Sequence, residues 1–262
     1  MTDQEQHQHF AFHEPLTPMQ EQCYALLQAK QYKSCELLAR LELSHAEQQG
    51  RDLRVIWALL GECAQATQQY RKAVSFYRKI NQFSGYQDSV SPKYRLKEAQ
   101  CLSAVGNVVE ASSVLERVPP EARTLTIHMT LGQLYLASGR SSSASECFLD
   151  SLVQNPYALE AMESLAILGT DMAKVVDAIK TGFAQQQTND SSKYTAAIQD
   201  LVTATFAKHR HQASSALEMF QKLSEQFPNN VQILLKIATL QVSTLSPLRP
   251  KLMRLFLLGT KC

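Results

Sequence analysis

Residues 125–156 read LTIHMTLGQLYLASGRSSSASECFLDSLVQNP, and residues 54–77 read RVIWALLGECAQATQQYRKAVSFY. Counted from Leu125 as position 1, the first stretch has Leu131 at 7, Gly132 at 8, Tyr135 at 11, Ala144 at 20, Phe148 at 24, Ser151 at 27 and Pro156 at 32. Counted from Arg54, the second has Trp57 at 4, Leu60 at 7, Gly61 at 8, Ala73 at 20 and Tyr77 at 24. Large residues at 4, 7 and 11 share one face of a first helix, because a helix returns to the same face every three to four residues. The small residues at 8 and 20 mark where two antiparallel helices approach most closely, and a bulky side chain there would push them apart. A proline at 32 cannot continue the second helix and opens the next turn.

That set of offsets is the signature of the tetratricopeptide repeat, a helix hairpin of about 34 residues that buries its apolar face only by stacking on its neighbours. Starts at 16, 54, 92, 125, 159, 197 and 231 fit the rest of the chain. The third repeat has Ala99 at 8, Leu102 at 11, Gly106 at 15, Ala111 at 20 and Leu115 at 24. The sixth has Ala204, Ala216, Phe220, Leu223 and Pro228 at 8, 20, 24, 27 and 32. The first carries Cys23 at 8 and Cys35 at 20. The fifth is the weakest, with Leu165, Ala166 and then Ala178 at 20, and the seventh offers one helix, Val231–Gln241. Thr17-Pro18-x-Gln20 reads as a capping box with a proline at the first helical position, Ser91-Pro92 and Asn155-Pro156 read as caps with prolines, and Asn229-Asn230 offers two further caps. The surplus residues of the longer repeats fall in His45–Arg51, Phe83–Ser91 and Gln185–Ser192, expected as loops or helix-end extensions. The expected fold is therefore an all-α tetratricopeptide-repeat solenoid of antiparallel helix hairpins. It has a flexible tail at 1–15, repeats over 16–241, and an atypical tail or cap at 242–262.

Composition agrees. Of 262 residues, 45% are apolar, so a core can form, while nine glycines and nine prolines are few for an all-β fold or a glycine-loop enzyme. A net charge of +2 excludes a strongly basic nucleic-acid binder. The N-terminal residues are too polar for a secretory signal, and no apolar run is long enough to span a bilayer, so no membrane partner is expected. The six cysteines at 23, 35, 63, 101, 147 and 262 form no CxxC pair and read as reduced, packed thiols. His7, His9 and His13 lie in a polar tail, His209-Arg210-His211 fills a hairpin turn, and His128 falls at position 4, a core place. No phosphate loop, nucleophile elbow, zinc motif or Cys-His pair appears. No catalytic, metal or cofactor-binding residue is expected, and the chain reads as a binding protein rather than an enzyme.

The concave groove of such a solenoid is lined by positions 2, 5, 9, 12 and 13 of each first helix. The second repeat offers Ala58, Glu62, Gln65 and Ala66, the third Lys93, Leu96, Gln100 and Ser103, and the fourth Thr126, Met129, Gln133 and Leu136. Glu62 would repel a carboxylate, so the basic clamp that tetratricopeptide domains use for acidic peptide ends is absent from these positions. Charge is uneven along the chain. From Arg51 to Lys97 nine Lys/Arg face three Asp/Glu, and from Ser141 to Asp171 five acids occur with no Lys or Arg. Solvated faces or complementary docking patches both fit that pattern.

Lys93–Gly169 goes beyond a generic repeat. A Lys93-Tyr94 helix runs to Cys101, Val118-Pro119 precedes a loop, Leu131–Gly139 reads LGQLYLASG, and Pro156–Ala161 reads PYALEA. With Leu152–Gly169 as its most specific part, this resembles the N-terminal half of the anaphase-promoting complex (cyclosome) subunit 7 family, diffusely over residues 15–240. The resemblance implies a non-catalytic scaffold of a ubiquitin ligase that acts in cell division, found in nucleus and cytoplasm. Its implied partners are the other subunits of that complex and a second copy of itself, bound through repeats one to three (Thr17–Val118). Trp57, Tyr70 and Tyr77 would then be packing or dimer-core residues, and packing within the repeat is the simpler role for Trp57. Members of the family continue through further repeats, so residues 246–262, SPLRPKLMRLFLLGTKC, are expected to be a truncated end or a divergent cap. The alternative is a tetratricopeptide adaptor that grips a partner peptide in its groove.

Overall fold

The computed structural model describes residues 16–83, 92–186, 191–210 and 212–245. They form helices and turns, with no strand among them. In chain order the α-helices are α1 (Pro18–Gln28), α2 (Tyr32–Gln49), α3 (Arg54–Ala66), α4 (Tyr70–Phe83), α5 (Pro92–Ala104), α6 (Val108–Glu116), α7 (Leu125–Ala137), α8 (Ser141–Gln154), α9 (Leu159–Ile167), α10 (Met172–Gln186), α11 (Ser191–His209), α12 (Ala213–Gln226) and α13 (Val231–Leu245). The expected class, all-α with antiparallel hairpins of tetratricopeptide type, is what these residues form. Two compact units divide the chain, Met1–Arg140 and Ser141–Cys262.

In the first unit α1 to α7 pack in sequence, each on the next, and first helices also meet first helices, α1 on α3 and α5 on α7. In the second unit α8 meets α9 and α10, α9 and α10 both meet α11, and α11, α12 and α13 follow in order. Contacts between neighbours in sequence are what a repeat protein uses in place of one central core.

One turn recurs. Lys30, Gln68, Gly106, Gly139 and Gly169 all have left-handed backbones, with φ of 58°, 59°, 90°, 76° and 69°. In each case the next residue donates its N–H to the carbonyl five residues back: Gln31 to Leu26, Gln69 to Ala64, Asn107 to Leu102, Arg140 to Tyr135 and Thr170 to Leu165. This is the Schellman closure of a helix C-terminus, which occupies carbonyls that have no partner inside the helix. The first four lie at position 15 of their repeats. Gly169 lies at position 11 of the fifth. It stops α9 one helical turn early, and the second helix of that repeat no longer keeps the template register assigned to Ala178. In α10 the place of closest approach to α8 goes to Gly182, which the sequence layout did not single out.

Helix starts follow local chemistry. Thr17 and Gln20 form the expected capping box, with Gln20 N–H on Thr17 Oγ1 at 3.3 Å and Thr17 N–H on Gln20 Oε1 at 3.0 Å. Asn230 Oδ1 accepts from the N–H groups of Gln232 and Ile233 and caps α13. Asn155 differs from expectation. Its side chain accepts from Tyr157 N–H at 3.0 Å in an Asx turn, and α9 begins only at Leu159, so Asn155-Pro156 caps no helix. Residues 45–49 extend α2, and α13 runs four residues past Gln241, to Leu245.

Candidate functional site

The signature residues are placed as follows. Trp57, Leu60, Gly61, Ala73, Tyr77, Ala99, Ala111, Leu131, Gly132, Ala144, Phe148, Pro156, Ala216 and Phe220 are buried. Gly61 and Tyr77 are in direct contact: a Cβ on Gly61 would stand 2.7 Å from Tyr77 Cε1, and the Tyr77 hydroxyl donates to Gln65 Oε1 at 2.9 Å. Tyr135 is half-buried, its hydroxyl on Glu116 at 3.0 Å and the Arg140 guanidinium 4.3 Å over its ring. Pro228 is exposed, in the turn before α13. Cys23, Cys35, Cys63, Cys101 and Cys147 are buried free thiols, and His128 is buried. Cys262, His7, His9, His13 and His211 lie outside the described residues.

Four of the nine cations of the basic stretch 51–97 are paired with acids once folded. Arg51 pairs with Glu42 at 3.0 Å, Arg54 with Asp52 at 2.6 Å, Arg78 with Glu98 at 3.3 Å and Glu110 at 2.6 Å, and Lys97 with Glu62. Asn81 donates a second bond to the buried Glu98 carboxylate, 2.6 Å. Lys79 and Lys93 lie over the rings of Trp57 and Tyr94, 5.7 and 6.0 Å from their centroids. Several of these acids come from outside the stretch, on α2, α5 and α6, which a linear count of charge does not see. The positive character of the stretch therefore rests on the other cations, of which Arg71 and Lys72 are exposed. Of the expected groove positions, Ala58 is fully buried, Glu62 is held by Lys97 and Gln65 by Tyr77.

The cavity with the character of a binding site lies in the second unit. It has a volume of about 260 Å³ and opens between α9, α11, α12 and α13. Tyr157, Leu159 and Met162 form one wall, Ala197, Ile198, Leu201 and Thr205 of α11 the next, and Ile233 of α13 with Leu223 and Phe227 of α12 close it. Behind it sits a core around Phe220, Ala204, Ala216 and Leu240. Ile198, Leu201 and Thr205 occupy positions 2, 5 and 9 of the sixth repeat, so this is the concave face, and the same offset rule carried to that repeat names them.

Three of its polar groups are engaged within the fold. Thr205 donates to the Leu201 carbonyl at 2.8 Å, Asn230 caps α13, and Lys236 bonds Glu163 at 2.6 Å across the rim from α13 to α9. The hydrogen bond from Lys236 holds the Glu163 carboxyl below its usual value. A cavity of this size and apolarity has room for one large apolar side chain, and is smaller than the ~300–1,000 Å³ usual for small-molecule sites. Nothing in it pairs a nucleophile with a base. Among the described residues no group of three or more His, Cys, Asp or Glu is placed to hold a metal, and no helix is long and apolar enough to cross a membrane.

No family model matches the chain. It is similar to anaphase-promoting complex subunit 7 of Arabidopsis thaliana, 29% identical over 154 residues, which is 56% of this chain and 26% of that protein. It is similar also to anaphase-promoting complex subunit 7 of Dictyostelium discoideum, 23% identical over 242 residues, 81% of this chain and 41% of that one. The chain thus spans well under half the length of these relatives. Among solved structures, PilF of Pseudomonas aeruginosa superposes with a TM-score of 0.49 at 19% identity, over 84% of this chain and 96% of its own. The anaphase-promoting-complex hetero-tetramer Cut9–Hcn1 superposes with a TM-score of 0.44 at 16% identity, over 83% and 48%.

Proposed function

We propose that the chain is a non-catalytic scaffold subunit of an anaphase-promoting-complex type ubiquitin ligase, working in nucleus and cytoplasm in support of cell-cycle ubiquitination. The observation that carries this reading is the similarity to the Dictyostelium subunit, which runs over 242 residues. The tetratricopeptide-type hairpins and a mainly apolar cavity that pairs no nucleophile with a base fit a protein that holds others rather than transforms them.

Self-association through the first three repeats belongs to the same proposal. Leu37 and Leu41 stand one turn apart on α2, 62% and 58% exposed, and α2 is longer than its repeat requires. Two large apolar side chains in register on one helix are a usual seed of an interface. Light scattering on the purified full chain should give the mass of a dimer, and Leu37→Glu with Leu41→Glu should give that of a monomer with unchanged helix content. A tagged full chain should co-purify in stoichiometric amounts with the other subunits of the ligase. A folded monomer that retains none of them would overturn the proposal.

The apolar cavity favours a second reading, a peptide adaptor. Leu201→Asp separates the two: it should leave mass and co-purification intact if the chain is a scaffold, and abolish capture of a short apolar peptide if it is an adaptor.

A further inference from the structure

The concave face of the sixth repeat runs on past the cavity. After Ile198, Leu201 and Thr205 at positions 2, 5 and 9 come Lys208 and His209 at positions 12 and 13. A helix returns to the same face every three to four residues, so these five share one face of α11. Lys208 is exposed and His209 is half-buried. The groove thus changes along its length from an apolar hollow to a cationic end.

The rim carries the same sign. Glu163 is the acid among the lining residues, and Lys236 bonds it. That hydrogen bond favours its charged form against the burial that opposes it, and the fields of Lys236, Lys208 and His209 act in the same direction as the bond. Lys208 and His209 are therefore felt at the mouth of the cavity. Glu160, one turn earlier on α9, is exposed but lies outside the lining. With two lysines acting on one rim carboxylate, the surplus is positive whatever the charge on His209. Positive potential at the edge of an apolar hollow draws an anion to it.

Spacing decides which ligand meets both features. From midway between Leu201 and Thr205 to Lys208 is about five residues of helix, or roughly 7–8 Å of rise. In an extended chain, side chains two residues apart point the same way and stand about 6.5–7 Å from each other. A segment laid along α11 can therefore fill the cavity with one side chain and reach Lys208 with the next on that side. We propose that this groove takes an extended segment of a protein partner, with a large apolar side chain in the cavity and an Asp or Glu two residues away on Lys208. The proposal rests on the peptide reading of the cavity and adds the charge and spacing of the peptide.

The test is fluorescence anisotropy on the full chain with a labelled, C-terminally amidated peptide, Gly-Asp-Ser-Phe-Ser-Asp-Gly, and its counterpart with Asn for both Asp. The acid stands on both sides of the Phe, so either direction of binding is read. The expected result at low salt is about fivefold tighter binding of the acidic peptide. That advantage should vanish in about 0.5 M salt. It should vanish also in Lys208→Ala, an exposed position whose variant circular dichroism should show to be folded, while the Asn peptide binds that variant as before. Equal binding of the two peptides, lost in Leu201→Asp, would overturn the proposal and leave the cavity as a site for apolar peptides. No binding of either peptide up to about 1 mM would overturn both readings.

Discussion

A methyl group on Gly182 would stand 2.6 and 2.8 Å from the carbonyl oxygens of Leu152 and Val153 and 2.7 Å from Pro156 Cγ. Two of those neighbours are backbone of α8 and cannot turn aside, so Gly182→Ala is expected to destabilise by about 2–3 kcal/mol in urea unfolding. At Gly61 the obstacle is the Tyr77 ring, buried and tied to Gln65 but still a side chain. Gly61→Ala should cost less, about 1 kcal/mol, because alanine returns part of the strain as helix propensity. The reverse order would show that α8 and α10 yield more easily than their geometry indicates. Gly61 could be read from the sequence because it falls on position 8. Gly182 could not, because the early stop at Gly169 shifts the fifth repeat off the template. The cysteines were legible as packed thiols from their apolar neighbours. Burial raises the Cys101 thiol to about 11, and Cys35 Sγ donates to the Cys23 carbonyl at 3.1 Å. Cys23, Cys35, Cys63, Cys101 and Cys147 should therefore react with a thiol reagent only as fast as the protein opens, mapped by labelled peptides.

Between α9 and α13 the Lys236–Glu163 pair gives a pH-dependent tie. The hydrogen bond from Lys236 lowers the folded carboxyl below its ordinary value of 4.5. A lowered carboxyl stabilises the fold above its unfolded value, and the contribution disappears as pH falls through the folded one. The stability gap between the natural chain and Lys236→Met should thus be flat from about pH 8 to about pH 5 and close in more acidic solution. Thermal melts across that range measure it. A gap that persisted at low pH would mean that Lys236 acts through its apolar stem. The helix pattern was legible where the small and large residues fell on the template positions, and the capping box at Thr17 was legible from its residue types. It failed at Asn155, whose side chain closes a turn instead of capping a helix, since the same residue type serves both uses. The cavity lies on positions 2, 5 and 9 of the sixth repeat, where no groove residue was named from the sequence, and which positions stay open depends on packing that no offset encodes.

Across the molecule the fold class was legible because one period repeats along most of the chain, whereas the balance of its charges was not. Of the nine cations of 51–97, Arg51 and Arg78 draw partners from outside the stretch, on α2, α5 and α6, so the folded first unit is less positive there than the sequence suggests. Association through the early repeats should then depend on apolar burial, and the light-scattering mass should be the same in about 0.05 M and about 0.5 M salt. A mass that falls with salt would place charge at the interface. The ion pairs have one more consequence, for the order of the hairpins. Glu62 of the second repeat finds Lys97 of the third, and Arg78 of the second finds Glu98 and Glu110 of the third. If the second hairpin were copied into the place of the third, Glu62 would face the counterpart of Leu59, and Arg78 the counterparts of Leu60 and Lys72. Modules with interchangeable backbones would then meet as strangers, and a shuffled chain would keep its turns while losing its address system.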